Sequence, residues 1–426
     1  MNILVVGGGG REHAIIKKIR ENPNVETIWA LPGNGGIAAD AACVPIPATD
    51  IEGMIAFAKA HPVDFAVVAP DDPLAMGAVD RLEELGIPAF GPRANAAIIE
   101  SSKVFAKDLM RRYHIPTADY AVCETLEGAL DYLKTAAYPL VVKADGLALG
   151  KGVIICQDQQ EARQAVQSMM EDKIFGESGS RVVMEAFLTG PEVSVLAFTD
   201  GKTVVPMVSS MDHKRAGDGD VGPNTGGMGT VAPNPCYTPE IAQRCMKEIF
   251  LPTIKAMNQE GRTFRGCLYF GLMLTKDGPK VIEYNCRFGD PETQVVLPLL
   301  KTDLLCIMQA VAGGTLADIP VEWHPGAACC VVIASGGYPG KYEKGLPVDL
   351  GDVAQSSEVQ VYHAGTACKE GKLVTAGGRL LGVTALGDSL AQAVANAYEA
   401  AEQVKIPGAF YRRDIGKRAL QEERNG

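Results

Sequence analysis

The sequence predicts a multidomain protein that combines α/β and α+β architecture. Its 426 residues are enough for roughly three domains of about 150 residues each. Over the first 91 residues, short apolar runs alternate with helical patterns, and this alternation predicts a doubly wound parallel sheet. Beyond about residue 323 the pattern changes to β-type runs followed by a helix, which predicts a β-rich C-terminal domain.

The N-terminal region starts with a β-turn-α unit. Residues 3–6 form a short apolar run, residues 7–10 are four glycines, and apolar residues then recur at helical spacing. Asp50 precedes a second helical pattern and is a suitable N-cap. Ligands of doubly wound sheets bind beyond the carboxyl ends of the strands. The candidate ligand loops are therefore 7–10, 32–36 and 70–72. The other predicted elements are strands at 25–30, 63–69 and 88–90 and a helix at 51–60.

The glycine turn suits a single phosphate better than a dinucleotide. The G-x-G-x-x-G pattern meets Glu12 or His13 where it needs a small residue. No acidic residue follows the second strand to hold a ribose hydroxyl. Amide groups of successive glycines at a helix start still form an anion cradle. A bare tight turn is the alternative interpretation. The candidate phosphate ligands are Gly8, Gly9, Gly10 and Arg11.

Composition and charge exclude several classes of protein. The formal net charge of −11 argues against a nucleic-acid partner, because such surfaces need clustered Lys and Arg. No apolar run approaches the ~18 residues of a membrane helix, and the N-terminus lacks a signal-peptide pattern. The 11 cysteines include no C-x-x-C pair, which favours reduced thiols over zinc or disulfide sites. We therefore expect a cytoplasmic protein without a membrane partner.

The middle of the chain carries a lysine-rich glycine loop. Lys103 falls in the first turn of a helix that begins near Ser101 or Ser102, where a cation opposes the helix dipole unless it serves an anion. An apolar strand then leads into the loop 143–152. Its glycines give a hairpin able to fold over a triphosphate, and a plain surface hairpin is the alternative. The candidate ATP ligands here are Lys103, Lys143, Gly150 and Lys151.

A second apolar strand supports the same nucleotide site. It ends in the linker 185–188 and is followed by Glu192. Such a linker can offer backbone groups to an adenine edge, and an acid a few residues later can hold ribose hydroxyls. Read alone, the segment is only a strand and its turn. The candidate ligands are Glu185, Ala186, Leu188 and Glu192.

Glu283, Asn285 and Arg287 alternate along a further predicted strand. This spacing puts their side chains on one face. A carboxylate and an amide oxygen suit Mg²⁺, and an arginine nearby can grip the phosphate that the cation carries. The alternative is an edge strand with a solvated polar face.

The run Asp212 to Arg215 and the glycine-rich segment after it are dense in charge and poor in core residues. They predict a substrate loop, although a solvated charged turn is the alternative. No proton role is assigned to His213. The candidate substrate ligands are Asp212, Lys214, Arg215, Thr225, Gly226 and Gly227.

Taken together, these motifs resemble the ATP-grasp fold and, within it, the glycinamide ribonucleotide synthetase family. The resemblance covers nearly the whole chain: Gly-Gly-Arg-Glu-His-Ala at 9–14, Pro-Gly-Asn at 32–34, Lys-Ala-Asp-Gly-Leu-Ala at 143–148, Asp-His-Lys-Arg at 212–215, Gly-Pro-Asn-Thr-Gly-Gly-Met-Gly at 222–229 and Asn-Cys-Arg-Phe-Gly-Asp-Pro-Glu-Thr-Gln at 285–294. It implies that ATP drives the joining of glycine to 5-phosphoribosylamine in purine biosynthesis, through a glycyl phosphate, with release of ADP and phosphate.

The resemblance also implies roles for residues. Asp212, Lys214 and Arg287 would be catalytic, Glu283 and Asn285 would hold Mg²⁺ or Mn²⁺ with ATP, and the glycine cradle would hold the ribose 5-phosphate. Two departures are local. The strand at 267–273 offers no second metal carboxylate, and Met211 and the four-glycine turn replace the family's usual Gln and Gly-Ser-Gly-Gly. Transient contact with neighbouring purine-pathway enzymes is a further expectation.

The resemblance implies three domains: a phosphoribosylamine-binding domain at 1–100, an ATP-grasp domain at 101–323 with a lid at about 122–188, and a C-terminal domain at 324–426 that closes over the phosphoribosyl site. One competing interpretation is a regulatory nucleotide-binding protein without turnover. Another is a biotin-type carboxylase or a related carboxylate–amine ligase. The intact lysines and the Asp212 to Arg215 loop favour the glycine ligase.

Overall fold

The computed structural model describes residues 1–147, 152–174, 176–353 and 358–425. Its N-terminal region is a five-stranded parallel sheet in the order β3-β2-β1-β4-β5. The strands are β1 Asn2–Gly7, β2 Thr27–Pro32, β3 Ala42–Cys43, β4 Phe65–Val68 and β5 Ala89–Phe90. The helices are α1 Gly10–Arg20, α2 Ile51–Ala60, α3 Asp71–Ala75, α4 Ala78–Glu84 and α5 Ala94–Ser101. The predicted doubly wound sheet is thus confirmed.

The central strand β1 shows why this sheet is covered on both faces. Ile3 and Val5 point into one hydrophobic core, whereas Leu4 and Val6 point into a second core, because successive side chains alternate across a strand. The strand order reverses between β1 and β4, and this switch point is where ligands of such sheets bind. The glycine turn and the N-terminus of α3 both lie there.

Residues 103–186 begin with a helix and continue as a small separate layer. Ser102 caps the first helix by accepting a hydrogen bond from the amide of Phe105 at 3.1 Å. An antiparallel sheet in the order β6-β9-β7-β8 follows, and it has its own hydrophobic core. The elements are α6 Lys103–Arg112, β6 Tyr120–Cys123, α7 Leu126–Leu133, β7 Leu140–Ala144, β8 Val153–Cys156, α8 Gln159–Met170 and β9 Val182–Ala186.

Residues 192–313 contain a second antiparallel sheet. A four-stranded antiparallel sheet in the order β11-β10-β16-β17 carries the Glu283 motif on its outer strand. The strands are β10 Glu192–Thr199, β11 Val204–Pro206, β12 Met211–Asp212, β13 Arg215–Gly217, β14 Val221–Asn224, β15 Gly229–Ala232, β16 Gly266–Thr275 and β17 Gly278–Asn285. The helices are α9 Pro239–Cys245, α10 Leu251–Gln259, α11 Thr293–Val296 and α12 Leu304–Gly313.

The C-terminal region is rich in strands, as expected, but its main sheet also includes strands from an earlier part of the chain. The sheet runs in the order β12-β15-β18-β22-β19, so two of its five strands come from the 192–313 region. The strands are β18 Ala327–Ala334, β19 Val359–His363, β20 Thr366–Lys369, β21 Lys372–Thr375 and β22 Arg379–Gly387, and the helices are α13 Leu390–Gln403 and α14 Lys417–Asn425. The domain division at 323 stays a prediction, and this sheet crosses it.

Every helix in the described ranges is too short or too polar to cross a membrane.

Candidate active site

The Glu283 motif lies at the end of β17, where the strand contains a bulge. Gly271 pairs with Glu283, but Leu272 pairs with Val281, so Ile282 is the extra residue. The carbonyl of Ile282 accepts a hydrogen bond from Lys143 Nζ at 3.0 Å. The bulge therefore brings a lysine of β7 to the strand that carries the carboxylate.

Glu283 lies in a strongly positive environment. Its Oε1 is 3.3 Å from Lys214 Nζ. Lys214 lowers the pKa of Glu283 to about 2, with help from Lys143 and Lys103 and against the effect of burial. Two of these lysines also have other acid partners, since Lys143 pairs with Glu185 at 2.9 Å and Lys214 lies 3.7 Å from Glu192. The site still brings together several cationic donors of the kind that bind phosphate oxygens.

Asn285 and Arg287 are both held by Glu100 of α5. Asn285 Nδ2 donates to Glu100 Oε1 at 3.0 Å and to the carbonyl of Tyr284 at 2.9 Å. Arg287 Nη2 is 3.0 Å from the same Glu100 oxygen. Because both amide hydrogens of Asn285 are used, its Oδ1 remains as an acceptor.

The donors of Glu283 and Asn285 fit Mg²⁺. Both are hard oxygen ligands, and Mg²⁺ commonly takes one or two protein ligands and completes its shell with water and substrate phosphates. Among the described residues, no group of three or more His, Cys, Asp or Glu side chains is arranged to hold a metal. Glu283 and Asn285 as metal ligands therefore stay a prediction, in which phosphate oxygens would complete the coordination shell.

The lysines of the nucleotide region are buried and mostly paired. Lys103 Nζ donates to the carbonyl of Gly146 at 2.9 Å, and burial lowers the pKa of Lys103. Glu185 lies between two lysines, with Lys143 Nζ and Lys107 Nζ each 2.9 Å away. Burial lowers the pKa of Lys107 to about 8, although Glu185 opposes this shift. The Glu185 side chain therefore joins β9 to α6 and β7.

The linker after β9 supports only part of the expected adenine contact. The amide of Ala186 already donates to the carbonyl of Asp119 at 2.9 Å. The amides of Phe187 and Leu188 have no hydrogen bond to the described residues, so they are the available donors. Glu192 begins β10 and is exposed, with its carboxylate 3.7 Å from Lys214 Nζ. The predicted ligands Gly150 and Lys151 lie outside the described residues.

The substrate loop folds back on itself. Thr225 Oγ1 donates to the carbonyl of Lys214 at 2.8 Å and accepts from the amide of Gly227 at 3.0 Å. Arg215 Nη1 donates to the carbonyl of Gly222 at 2.8 Å. This contact places the Arg215 guanidinium against its own hairpin, and its role as a substrate ligand stays a prediction.

Two acids, the half-buried Asp212 and the buried Glu292, lie behind this loop. Burial raises the pKa of Asp212 well above its usual value, and the nearby Glu292 adds to the shift. Burial also raises the pKa of Glu292. Ser194 Oγ donates to Glu292 Oε1 at 3.3 Å and shares a 2.8 Å hydrogen bond with Tyr269 OH. Two acids that resist joint ionisation form a suitable place for an ammonium group.

The glycine cradle faces the Asp290 to Gln294 segment. A Cβ on Gly10 would lie 2.7 Å from Gln294 Nε2, and that nitrogen donates to Asp290 Oδ1 at 2.7 Å. Gln294 Oε1 is buried and has no hydrogen-bond partner among the described residues. Arg379 of β22 completes the cluster, with Nη2 3.2 Å from Asp290 Oδ2.

Arg11 does not lie free beside the cradle as the sequence suggested. Its Nε is 2.6 Å from Glu12 Oε1, and its Nη1 donates to the carbonyl of Phe288 at 3.2 Å. The amide of Gly9 is also taken, because it donates to Glu12 Oε2 at 2.6 Å. The free donors of the cradle are consequently fewer than four successive glycines suggest.

The comparison with family models agrees with this arrangement. The models of the N domain, the ATP-grasp (A) domain and the C domain of phosphoribosylglycinamide synthetase match residues 1–100, 101–293 and 328–418. The chain belongs to the phosphoribosylglycinamide synthetase family. The phosphoribosylamine–glycine ligase of Vibrio vulnificus is 48% identical over 426 residues and 99% of each chain. That of Caldanaerobacter subterraneus is 47% identical over 415 residues, with 97% of this chain and 99% of the relative covered.

Solved structures confirm the predicted architecture of this phosphoribosylglycinamide synthetase family member. The crystal structure of phosphoribosylamine–glycine ligase from Thermotoga maritima superposes with a TM-score of 0.86 at 36% identity, covering 97% of this chain and 100% of that one. A biotin carboxylase from Campylobacter jejuni superposes with a TM-score of 0.75 at 17% identity, covering 96% and 92%. The second likeness shows the fold alone. The ATP-grasp fold of the central region is confirmed.

Several residues of this site were missed by the sequence reasoning. Glu292 and Gln294 lie inside a recognised motif, so the signal was present but no role was given. Lys107 follows Lys103 by one helical turn, and this spacing was the available clue. Glu100 and Arg379 carry no sequence pattern that points to the site, since both arrive there from distant elements.

Proposed function

We propose that this protein is a carbon–nitrogen ligase that joins glycine to 5-phosphoribosylamine at the expense of ATP, giving glycinamide ribonucleotide, ADP and phosphate. The observation that carries the proposal is the Glu283 carboxylate, placed beside Asn285 and surrounded by three lysines. Such a site neutralises a triphosphate and leaves two oxygens for its metal ion. Relatives at 47–48% identity over nearly the full length carry the name of this activity.

The residues divide the chemistry between them. Lys103, Lys143 and Lys214 neutralise phosphate oxygens, and Arg287 steadies the transferring phosphoryl group. Mg²⁺, held by Glu283 and Asn285, supplies further charge neutralisation when it is bound. A carboxylate resists attack by an amine, but phosphorylation to glycyl phosphate gives it a good leaving group, so catalysis consists mainly of positioning and electrostatics.

The two remaining substrates are assigned to the two clusters beside the lysines. Asp212 and its neighbour Glu292 hold the ammonium group of glycine, because a cation relieves the repulsion within a buried acid pair. The N-terminus of α1, from Gly8 to Arg11, binds the ribose 5-phosphate through backbone donors. A Cβ added to Gly10 would lie 2.7 Å from Gln294 Nε2, so α1 packs directly against the Asp290 to Gln294 segment, and this packing supports a fixed position for the cradle.

Finer expectations belong to the same proposal. Mn²⁺ is expected to replace Mg²⁺, since both accept oxygen ligands. The eleven cysteines are all free thiols in the structure, which supports work in the reducing cytoplasm. Transient contact with neighbouring enzymes of purine biosynthesis stays a prediction.

The deciding experiment is ATP consumption by the purified protein with Mg²⁺, glycine and freshly generated 5-phosphoribosylamine, omitting each component in turn. The proposal expects ADP only when both co-substrates are present, with an equal amount of glycinamide ribonucleotide. ADP formation with another acid or amine would overturn the substrate assignment but leave an ATP-grasp ligase. ATP binding without turnover under any combination would favour a regulatory nucleotide-binding protein.

A further inference from the structure

Glu100 is a buried acid that the chemistry described so far does not use. It lies in the last turn of α5, just before the first helix of the nucleotide region, and its side chain is 6% exposed. Its partners on the β17 segment lie 185 residues further along the chain. A buried carboxylate is costly unless it is paired. Its contacts therefore deserve a functional explanation.

The two oxygens of Glu100 accept from three successive residues. Oε1 accepts from Asn285 Nδ2 at 3.0 Å and is 3.0 Å from Arg287 Nη2. Oε2 accepts from the amide of Cys286 at 2.7 Å. All three donors belong to the segment that leaves β17. The Glu100 carboxylate thus binds the end of β17 through the backbone amide of Cys286 and through the side chains of Asn285 and Arg287.

Glu100 is the charged acceptor that sets which way the Asn285 amide faces, and the carbonyl of Tyr284 accepts from the same nitrogen at 2.9 Å. An amide can rotate to present either its oxygen or its nitrogen, and a cation accepts only the oxygen. Because an ionised carboxylate only accepts hydrogen bonds, Glu100 attracts the nitrogen of Asn285. The oxygen must then point away from Glu100. The same carboxylate keeps the Arg287 guanidinium beside Asn285 through an ion pair.

We propose that Glu100 is a positioning residue that turns the Asn285 amide oxygen toward the metal ion of the nucleotide and fixes Arg287 beside it. This inference rests on the proposed function, since it concerns the metal ion bound with ATP. Glu100 itself touches neither metal nor substrate. Outer residues of this kind typically change metal affinity or activity by about 10- to 100-fold when they are replaced.

The test is ADP binding measured by calorimetry, once with Mg²⁺ and once with EDTA, so that no turnover is needed. Glu100→Gln puts an NH₂ group against one of three donors and removes the charged acceptor, so the Asn285 amide is left with the carbonyl of Tyr284 and its orientation should be less well fixed. We expect the gain in ADP affinity caused by Mg²⁺ to fall about 10- to 100-fold, while ADP affinity in EDTA stays unchanged. Glu322→Gln is the matched control, because Glu322 pairs with Lys301 at 2.8 Å on the surface.

A second variant separates positioning from folding. Glu100→Asp keeps the charge, but its shorter side chain cannot reach both Asn285 and the Cys286 amide, so it should also lose part of the Mg²⁺-dependent gain. Thermal unfolding of each variant accompanies the binding data. If neither variant folds, Glu100 is a folding residue and the inference fails.

The remaining outcomes distinguish this inference from the proposed function. An unchanged Mg²⁺-dependent gain in folded Glu100→Gln overturns the positioning role only. An equal loss of ADP affinity with Mg²⁺ and with EDTA also overturns it, because that result indicates general damage. If the unmodified protein binds ADP no better with Mg²⁺, the metal assignment fails as well, whereas the ligase assay tests the reaction independently.

Discussion

The ionisation of single residues in this site depends on the charges around them, and Glu283 is the clearest case. Replacing it with Gln removes the proposed metal ligand and a negative charge that faces three lysines. We expect Glu283→Gln to lower kcat by at least about 100-fold and to weaken Mg-ATP binding. The measurement is ADP formation with all substrates present. A variant with full activity would refute the metal assignment, and circular dichroism should show an intact fold.

The hydrogen bonds and burial of His213 explain its protonation state. Its Nδ1 faces the carbonyl of Gly229 at 3.1 Å, and its Nε2 accepts from the amide of Gly416 at 3.3 Å. Burial lowers the pKa of His213 to about 4, and the charge of Arg412 adds to this shift. Protonation would cost the contact with Gly416. His213 is therefore expected to be neutral at pH 7.

This low pKa predicts a pH dependence of stability. A histidine of ordinary pKa in the unfolded chain takes up its proton near pH 6.5, but the folded protein resists it until about pH 4. Its contribution is thus complete above pH 6.5 and is lost as the pH falls toward 4, by up to about 1.4 kcal/mol per pH unit. Denaturant unfolding of His213→Gln should show a shallower loss over this range. An identical slope in both proteins would contradict the assignment, and exposed His61→Gln is the control.

Helices and strands position the residues of the site. The N-terminus of α1 allows a direct test of this, because it is the proposed binding site of the ribose 5-phosphate. A Cβ on Gly10 would push against Gln294 Nε2 at 2.7 Å and disturb its bond to Asp290. We expect Gly10→Ala to raise the KM for 5-phosphoribosylamine by about 10- to 100-fold without changing ADP affinity. Steady-state kinetics with varied amine substrate measure this effect.

The matched control for Gly10→Ala is Gly313→Ala at the end of α12. A Cβ there meets only Thr315 Oγ1 at 3.8 Å, so kinetics should be unchanged. If both variants behave alike, the cradle does not bind the amine substrate.

Much of the element pattern was predictable, because it depends on local sequence. The apolar run of β1 and the Asp50 cap of α2 both appear as expected, and so do the β-type runs beyond residue 323. The bulge at Ile282 was not predictable, since alternation alone assumes a regular strand. The carbonyl partners of Arg11 and Arg215 were not predictable for a related reason: sequence shows that a cation is present, but not which backbone carbonyl it will contact.

The whole molecule depends on contacts between distant segments. Glu100 of α5 and Arg379 of β22 contact the site from elements that precede and follow the central region. No local sequence pattern predicts such long-range contacts. The order of the domains along the chain follows from the family resemblance. The pairing of β15 with β18 in one sheet could not be predicted from local sequence.

That shared sheet predicts the result of truncation. Ending the chain at residue 323 removes β18, which pairs with β15 from Gly229 to Ala232. The exposed edge and the uncovered core should make the fragment aggregate. Size-exclusion chromatography against the full chain measures this. A monomeric fragment with cooperative unfolding would show that residues 1–323 fold independently.

The same pairing has a consequence for the protein while it is being made. Strand β15 leaves the ribosome before its partner β18 has been translated, and the two are separated by roughly 95 residues, or about 5–20 s at 5–20 residues per second. During that interval β15 has only the short strand β12 beside it. The nascent chain therefore passes through a period in which one edge of β15 has no partner strand and is open to pairing with other chains.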